Sequence, residues 1–158
     1  MSDRWVFLVS FLTLVLTVAG AFVVPEFFVY QLLTSLIFLI IALLVFYGED
    51  AFPFMLGMIA PILWWIFSAL VGGLSADLKA LFAYLGRKPI PPMETPLHGV
   101  ALLMSLVLVC VSARAWRSQI TQKFFGRTFG MALVVGLVWI GILAGWMSHT
   151  MSFHAWPR

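Results

Sequence analysis

The chain has 158 residues, of which 63% are hydrophobic and only 9% are charged, and its formal net charge at pH 7 is +3. Soluble domains carry about 25% charged residues, so this composition excludes a water-facing globular domain and predicts an integral membrane protein. Because a backbone in lipid must satisfy its own hydrogen bonds, we expect an all-α membrane bundle, and because the few charges are scattered between apolar runs, we expect no nucleic-acid partner.

The first two predicted spans form a helical hairpin. Residues 5–24 and 27–47 are apolar runs of about 20 residues, long enough to cross a hydrocarbon core of about 30 Å, and Pro25 and Glu26 separate them. Residues 19–21 (Ala-Gly-Ala) resemble a signal-peptidase site, but the length of the apolar run before them favours an uncleaved span.

Both helices of this hairpin carry a weak polar stripe at helical spacing. The stripe residues are Ser10, Thr13 and Thr17 on the first helix and Gln31, Thr34 and Ser35 on the second. We expect these side chains to make ordinary interhelical hydrogen bonds. The alternative interpretation is a polar path or a small-ligand site between the two helices.

Residues 54–71 form the third apolar run, after an acidic turn at Glu49 and Asp50. Pro61 lies inside this run and crowds the carbonyl of Gly57, so we expect a kink there. The kink has three interpretations: a hinge, the lining of a cofactor pocket, or a feature that only serves the packing of the helix. The run is long enough to span; a re-entrant segment is the alternative, and it would leave four spans.

Residues 75–85 predict a short amphipathic helix. Its apolar positions recur with an α-helical period opposite a polar side that includes Asp77, with Ser75 as the N-cap and Gly86 as the stop. The segment is too short to span, so we expect it at the membrane interface or docked against a neighbouring helix.

Residues 97–115 and 129–147 predict the fourth and fifth spans. The connector between them has four basic residues and no acidic one: Arg114, Arg117, Lys123 and Arg127. By the positive-inside rule this connector faces the cytoplasm. The N-terminus is then cytoplasmic and the amphipathic helix and the C-terminus lie outside, and we expect a bacterial inner (plasma) membrane.

No Asp, Glu, Lys or Arg lies in the middle of a predicted span. Proton-coupled transporters and ion pumps commonly need such groups at that depth. The residue patterns of common hydrolases, metalloproteases and nucleotide-binding proteins are also missing. These observations argue against an enzyme, and we assign no catalytic residue and no metal site.

Two histidines are the candidate cofactor-binding residues. His98 opens the fourth span and His149 closes the fifth, so antiparallel neighbouring helices would place both at the outer interface. Each lies near a face of small residues that we predict to be a helix-packing face: Ala101 and Ser105 on the fourth span, Gly141 and Gly145 on the fifth. If these faces meet, the two imidazoles can ligate haem or another tetrapyrrole; helix-end histidines bonded to water or backbone are the alternative.

The leading functional hypothesis is a non-catalytic multi-pass subunit, or an assembly or stabilising factor, of a larger membrane complex. The amphipathic helix and the basic connector are available as docking surfaces, and the expected partners are the lipid bilayer and other membrane subunits or further copies of the chain. A small haem-, pigment- or quinone-binding redox subunit that uses His98 and His149 is the second hypothesis. The third is an oligomeric channel or facilitator.

Overall fold

A computed structural model describes residues 2–48, 51–89, 95–120 and 124–154, and no strand occurs among them. The α-helices are α1 (Ser2–Val23), α2 (Phe28–Tyr47), α3 (Phe52–Leu70), α4 (Gly73–Leu85), α5 (Pro96–Gln119) and α6 (Arg127–His154), and a 3-10 turn (Pro25–Phe27) joins α1 to α2. The acidic turn at Glu49 and Asp50, and Lys123 of the basic connector, lie outside the described residues.

Five of the described helices, α1, α2, α3, α5 and α6, are long and apolar enough to cross a membrane. The third of them is one continuous helix of 19 residues, although Pro61 lies inside it. Helix α3 is also the most enclosed span, since 67% of its apolar window is buried, against 22% for α6. The bundle is therefore built around α3, and α6 lies at its edge.

The neighbours of each helix define the arrangement. Helix α1 packs mainly against α2 and α5, helix α3 packs against α5 and α6, and α4 packs mainly against α5. Within the described residues α5 and α6 make no contact with each other. The predicted pairing of the fourth and fifth spans is therefore wrong, because α6 packs on α3 and α2 instead.

Large side chains fix the position of α6. The Trp139 indole N–H donates to the carbonyl of Leu33 on α2 over 3.0 Å, and its ring meets Phe38 edge-on. Phe38 is fully buried and also meets Trp64 of α3 edge-on. These three rings join α2, α3 and α6 in one apolar cluster, with edge-to-face geometry that favours aromatic pairs.

The hydroxyl stripe of α1 is buried but does not bond to other helices in the way that we expected. Ser10 donates to the carbonyl of Val6 over 2.8 Å, and Thr13 donates to that of Val9 over 2.8 Å. Thr17 likewise donates to carbonyls of its own helix. The three hydroxyls bond to carbonyls of their own helix, as Ser and Thr side chains often do. The stripe therefore contributes small side chains to helix packing and no hydrogen bonds between helices.

Helix α4 follows α3 after a tight turn. Gly72 has a left-handed backbone, with φ of +78°, which a residue without a Cβ adopts at little cost. The helix begins at Gly73, two residues before the predicted start, and the Ser75 hydroxyl donates to the Gly72 carbonyl instead of capping the helix. Gly86 follows its last residue, as predicted.

Candidate functional site

His98 lies in the first turn of α5, where Thr95 caps the helix by accepting a hydrogen bond from the backbone N–H of Leu97. The imidazole Nδ1 is 3.5 Å from Oδ1 of Asp77 on α4, and the two side chains are 17% and 21% exposed. One edge of the imidazole therefore faces a carboxylate near the surface of the protein. Asp77 was assigned only to the polar side of an amphipathic helix, and the contact joins α4 to α5.

The other edge of the His98 ring faces the interior, over the backbone of Gly20 on α1. A Cβ built on Gly20 would lie 3.2 Å from His98 Nε2, 3.2 Å from Gln31 Oε1 and 3.0 Å from His98 Cδ2. A Cβ at this point would be a tight fit, so the ring or the amide would have to shift by a few tenths of an ångström to accommodate it. Gly20 thus allows polar groups from α2 and α5 to converge on α1.

Gln31 is 1% exposed, and neither its amide oxygen nor its amide nitrogen has a hydrogen-bond partner. Leaving a buried polar group unpaired costs about 1–3 kcal/mol, and native proteins rarely accept that cost. Beside it on α2, Tyr30 is largely buried and lies within electrostatic range of Asp77, and the Thr34 hydroxyl donates to the Tyr30 backbone carbonyl over 2.9 Å. The α4 end of the bundle, meaning the end that α4 packs against, therefore has a polar centre: Tyr30, Gln31, Asp77 and His98.

His149 lies elsewhere. It lines an open groove of about 690 Å³ between α2 and α6, together with Leu33, Ile142, Gly145, Trp146 and Ser148. Helices α5 and α6 do not pack against each other, and the two histidines face different surroundings: His98 faces Asp77 and Gly20, whereas His149 borders the groove. Among the described residues, no group of three or more His, Cys, Asp or Glu side chains is placed to hold a metal ion.

The two predicted packing faces differ. Ala101 and Ser105 on α5 are fully buried, and the Trp65 indole N–H of α3 donates to Ser105 Oγ over 3.0 Å. On α6, a Cβ built on Gly141 or on Gly145 would have no atom of another helix within 4 Å. The α5 face packs inside the bundle, whereas the α6 face is unpacked: Gly141 lies in open space, and Gly145 borders the groove beside Leu33.

Gly57 and Pro61 lie on the buried side of α3. A Cβ built on Gly57 would lie 2.5 Å from Ser112 Oγ on α5, so this glycine marks a close approach of α3 and α5. The Ser112 hydroxyl is buried and has no hydrogen-bond partner. The helix stays α-helical through both residues.

Comparison with protein-family models, with curated proteins and with solved structures finds no match to this chain. The residue set at the α4 end therefore has to be interpreted from its own chemistry. Sequence reasoning places Gln31, Asp77 and His98 in three separate features and does not single out Tyr30. The one signal that could have identified the site is Gln31, a lone amide in an otherwise apolar span.

Proposed function

We propose that the chain is a non-catalytic multi-pass subunit, or an assembly or stabilising factor, of a larger membrane complex, and that α6 makes the contact with its partner. The observation that carries this proposal is the exposure of the α6 small-residue face. In the proposed orientation the N-terminus is cytoplasmic, and α4 and the C-terminus lie on the outer side of a bacterial inner membrane, where α4 acts as an amphipathic interfacial helix.

The geometry of α6 supports this assignment. Residues of an α-helix are about 100° apart, so Gly141 lies on the opposite side from Trp139 and Leu143, which hold α6 to the bundle. Val134, on the same outward side, is well exposed. Small residues let helix backbones approach closely in a membrane, where lipid itself gives apolar side chains no reason to associate.

The experiment compares native purification of the wild type with that of Gly141→Leu. The matched control is Val107→Phe, which adds the same number of carbon atoms to an exposed position of α5. We expect Gly141→Leu to lower recovery of the partner at least tenfold, equivalent to about 1.4 kcal/mol, and the control to retain it. A monomeric wild type, or equal recovery from both variants, would contradict the proposal.

The groove beside His149 favours a second candidate, a small subunit that binds a membrane-soluble ring such as a quinone or a pigment. The groove is open and has a volume of about 690 Å³, and the side chains that border it include the Trp146 indole and the His149 imidazole. The absorption spectrum of the purified protein and of its organic extract tests this candidate. We expect His149→Ala to remove a bound chromophore and His98→Ala to retain it; a protein without chromophore would eliminate the candidate.

A further inference from the structure

The unpartnered Gln31 amide is the starting point. It lies inside a candidate membrane-spanning helix, its side chain is closed to solvent, and both of its polar atoms lack partners. An amide has a donor end and an acceptor end, and it exchanges them by rotating about its terminal bond. Gln31 Oε1 and His98 Nε2 each lie 3.2 Å from the position of a Cβ built on Gly20, so the amide converges there with an imidazole, a group that also changes between donor and acceptor.

A histidine changes in this way when it gains or loses a proton. The neutral ring with its proton on Nδ1 donates to a carboxylate and leaves Nε2 as an acceptor, whereas the charged ring donates from both nitrogens. In the structure Nδ1 faces Asp77 and the Nε2 edge faces inward. Gln31 can therefore match either state, by donating to the neutral ring or by accepting from the charged one.

We propose that Asp77, His98 and Gln31 form a proton-binding site at the α4 end of the bundle. The imidazole carries the proton at Nε2, the carboxylate of Asp77 balances the charge, and the amide of Gln31 turns from donor to acceptor when the proton binds. The proton comes from water and returns to it through the exposed edges of Asp77 and His98, because Gln31 closes the inner side.

The other charged groups on the elements around this site lie at different distances from it. Among the described residues, α3 has no titratable side chain, and the acidic and basic groups of α1 (Asp3, Arg4) and the basic groups of α5 (Arg114, Arg117) lie at the ends of those helices away from His98. The titratable neighbours are Asp77 on α4 and, within range of Asp77, Tyr30 on α2. The other charged groups on the elements at this end are Glu26 in the turn between α1 and α2, Lys79 on α4, and Arg87 and Lys88 after it, all exposed.

A consequence of the site is proton-linked docking of α4. A charged imidazole strengthens the contact with the Asp77 carboxylate, since charge-assisted hydrogen bonds are about twice as strong as neutral ones. The partial exposure of both groups limits this gain. Packing also holds α4, because the Asp77 carbonyl and Leu81 lie directly against Gly99 of α5, so we expect α4 to stay docked and to open more often at high pH.

The first experiment follows the side-chain amide signals of selectively labelled glutamine by NMR, with the full chain in lipid nanodiscs between pH 5 and pH 8. We expect the Gln31 signals to move with pH in the wild type, to stay fixed in His98→Asn, and to move as in the wild type in the control His149→Asn. Gln31 signals that are independent of pH in the wild type, or that move equally in His98→Asn, would overturn the proposal.

The second experiment measures amide hydrogen exchange of α4 and remains informative if His98→Asn does not fold. After correction for intrinsic exchange, we expect wild-type α4 to be about threefold to tenfold better protected at pH 5 than at pH 8, with tenfold corresponding to 1.4 kcal/mol. Asp77→Asn should abolish this ratio, and Lys79→Gln, at an exposed position of the same helix, should keep it. An unchanged ratio in Asp77→Asn would refute the linkage.

Discussion

Helices α5 and α6 have apolar windows of the same mean hydropathy, 2.1, and each has a face of small residues, yet the structure uses the two faces in opposite ways. The α5 face, with Ala101 and Ser105, is enclosed by its neighbours. On the α6 face, a Cβ built on Gly141 or Gly145 would meet no other helix within 4 Å. A small-residue face therefore indicates where a backbone can approach, and it does not say whether the approaching helix belongs to the same chain.

The largest expected loss of stability comes from a substitution on α3, which packs against the small-residue face of α5. Gly57→Val places atoms against Ser112 Oγ, since even a Cβ would lie 2.5 Å from it. Overpacking costs about 1–3 kcal/mol, and we expect the upper end because both helices are central. Unfolding in detergent measures the loss. Gly141→Val is the control and should leave stability unchanged; equal losses in both variants would mean that α6 also packs on its outward face.

A smaller, more local effect is expected at the contact between α4 and α5. A Cβ on Gly99 would lie 2.8 Å from both the Asp77 carbonyl oxygen and Leu81 Cβ, so Gly99→Ala must displace α4. We expect a cost of about 1–2 kcal/mol, visible as faster hydrogen exchange in α4 with no change in α6. Loss of protection in all helices would show that α4 is needed to hold the bundle together.

The attachment of α6 is tested by Trp139→Phe. This substitution keeps an aromatic ring beside Phe38 but removes the hydrogen bond to the Leu33 carbonyl. We expect a loss of about 1 kcal/mol, measured as faster exchange in α6. Trp65→Phe, which removes the bond to Ser105 on α5, is the matched comparison and should act on α5 instead. A response of the same helix to both changes would argue against separate attachment.

The smallest effect is expected at Gly136, the packed glycine of α6. A Cβ there would approach Leu63 Cδ1 to 2.7 Å, but that atom is the end of a flexible side chain. We expect Gly136→Ala to change stability by less than about 1 kcal/mol, because Leu63 can turn away and alanine favours the helix by nearly that amount. A loss as large as that of Gly57→Val would show that α3 and α6 pack as rigidly as α3 and α5.

The sequence was sufficient to predict five helices long and apolar enough to cross a membrane. Apolar run length determines their number, and residues 27–47 and 54–71 correspond to helices Phe28–Tyr47 and Phe52–Leu70. Hydrophobic periodicity could not predict which helices are neighbours, since it defines a face without naming what packs on it. Chain order suggests that α5 and α6 are neighbours. This inference is wrong, because α6 packs on α3 and α2 instead.

The polar centre was missed for a related reason. Asp77 was assigned to a polar helix side and His98 was matched with another histidine, because the sequence gives no distance between residues on separate elements. The close approaches at Gly20 and Gly99 bring α4, α1 and the start of α5 together. A glycine in the sequence predicts a close approach between two elements only when the group that it faces is known.

The convergence of α2 and α5 over Gly20 also has a consequence for the biogenesis of the protein. Gln31 leaves the ribosome about 70 residues before His98, which corresponds to several seconds at a synthesis rate of about 5–20 residues per second. During this interval the first hairpin has been synthesised, but the amide of Gln31 has no imidazole to meet. A nascent chain that ends before His98 therefore leaves this polar side chain of α2 without the ring that covers it, whereas a chain that extends through α5 does not.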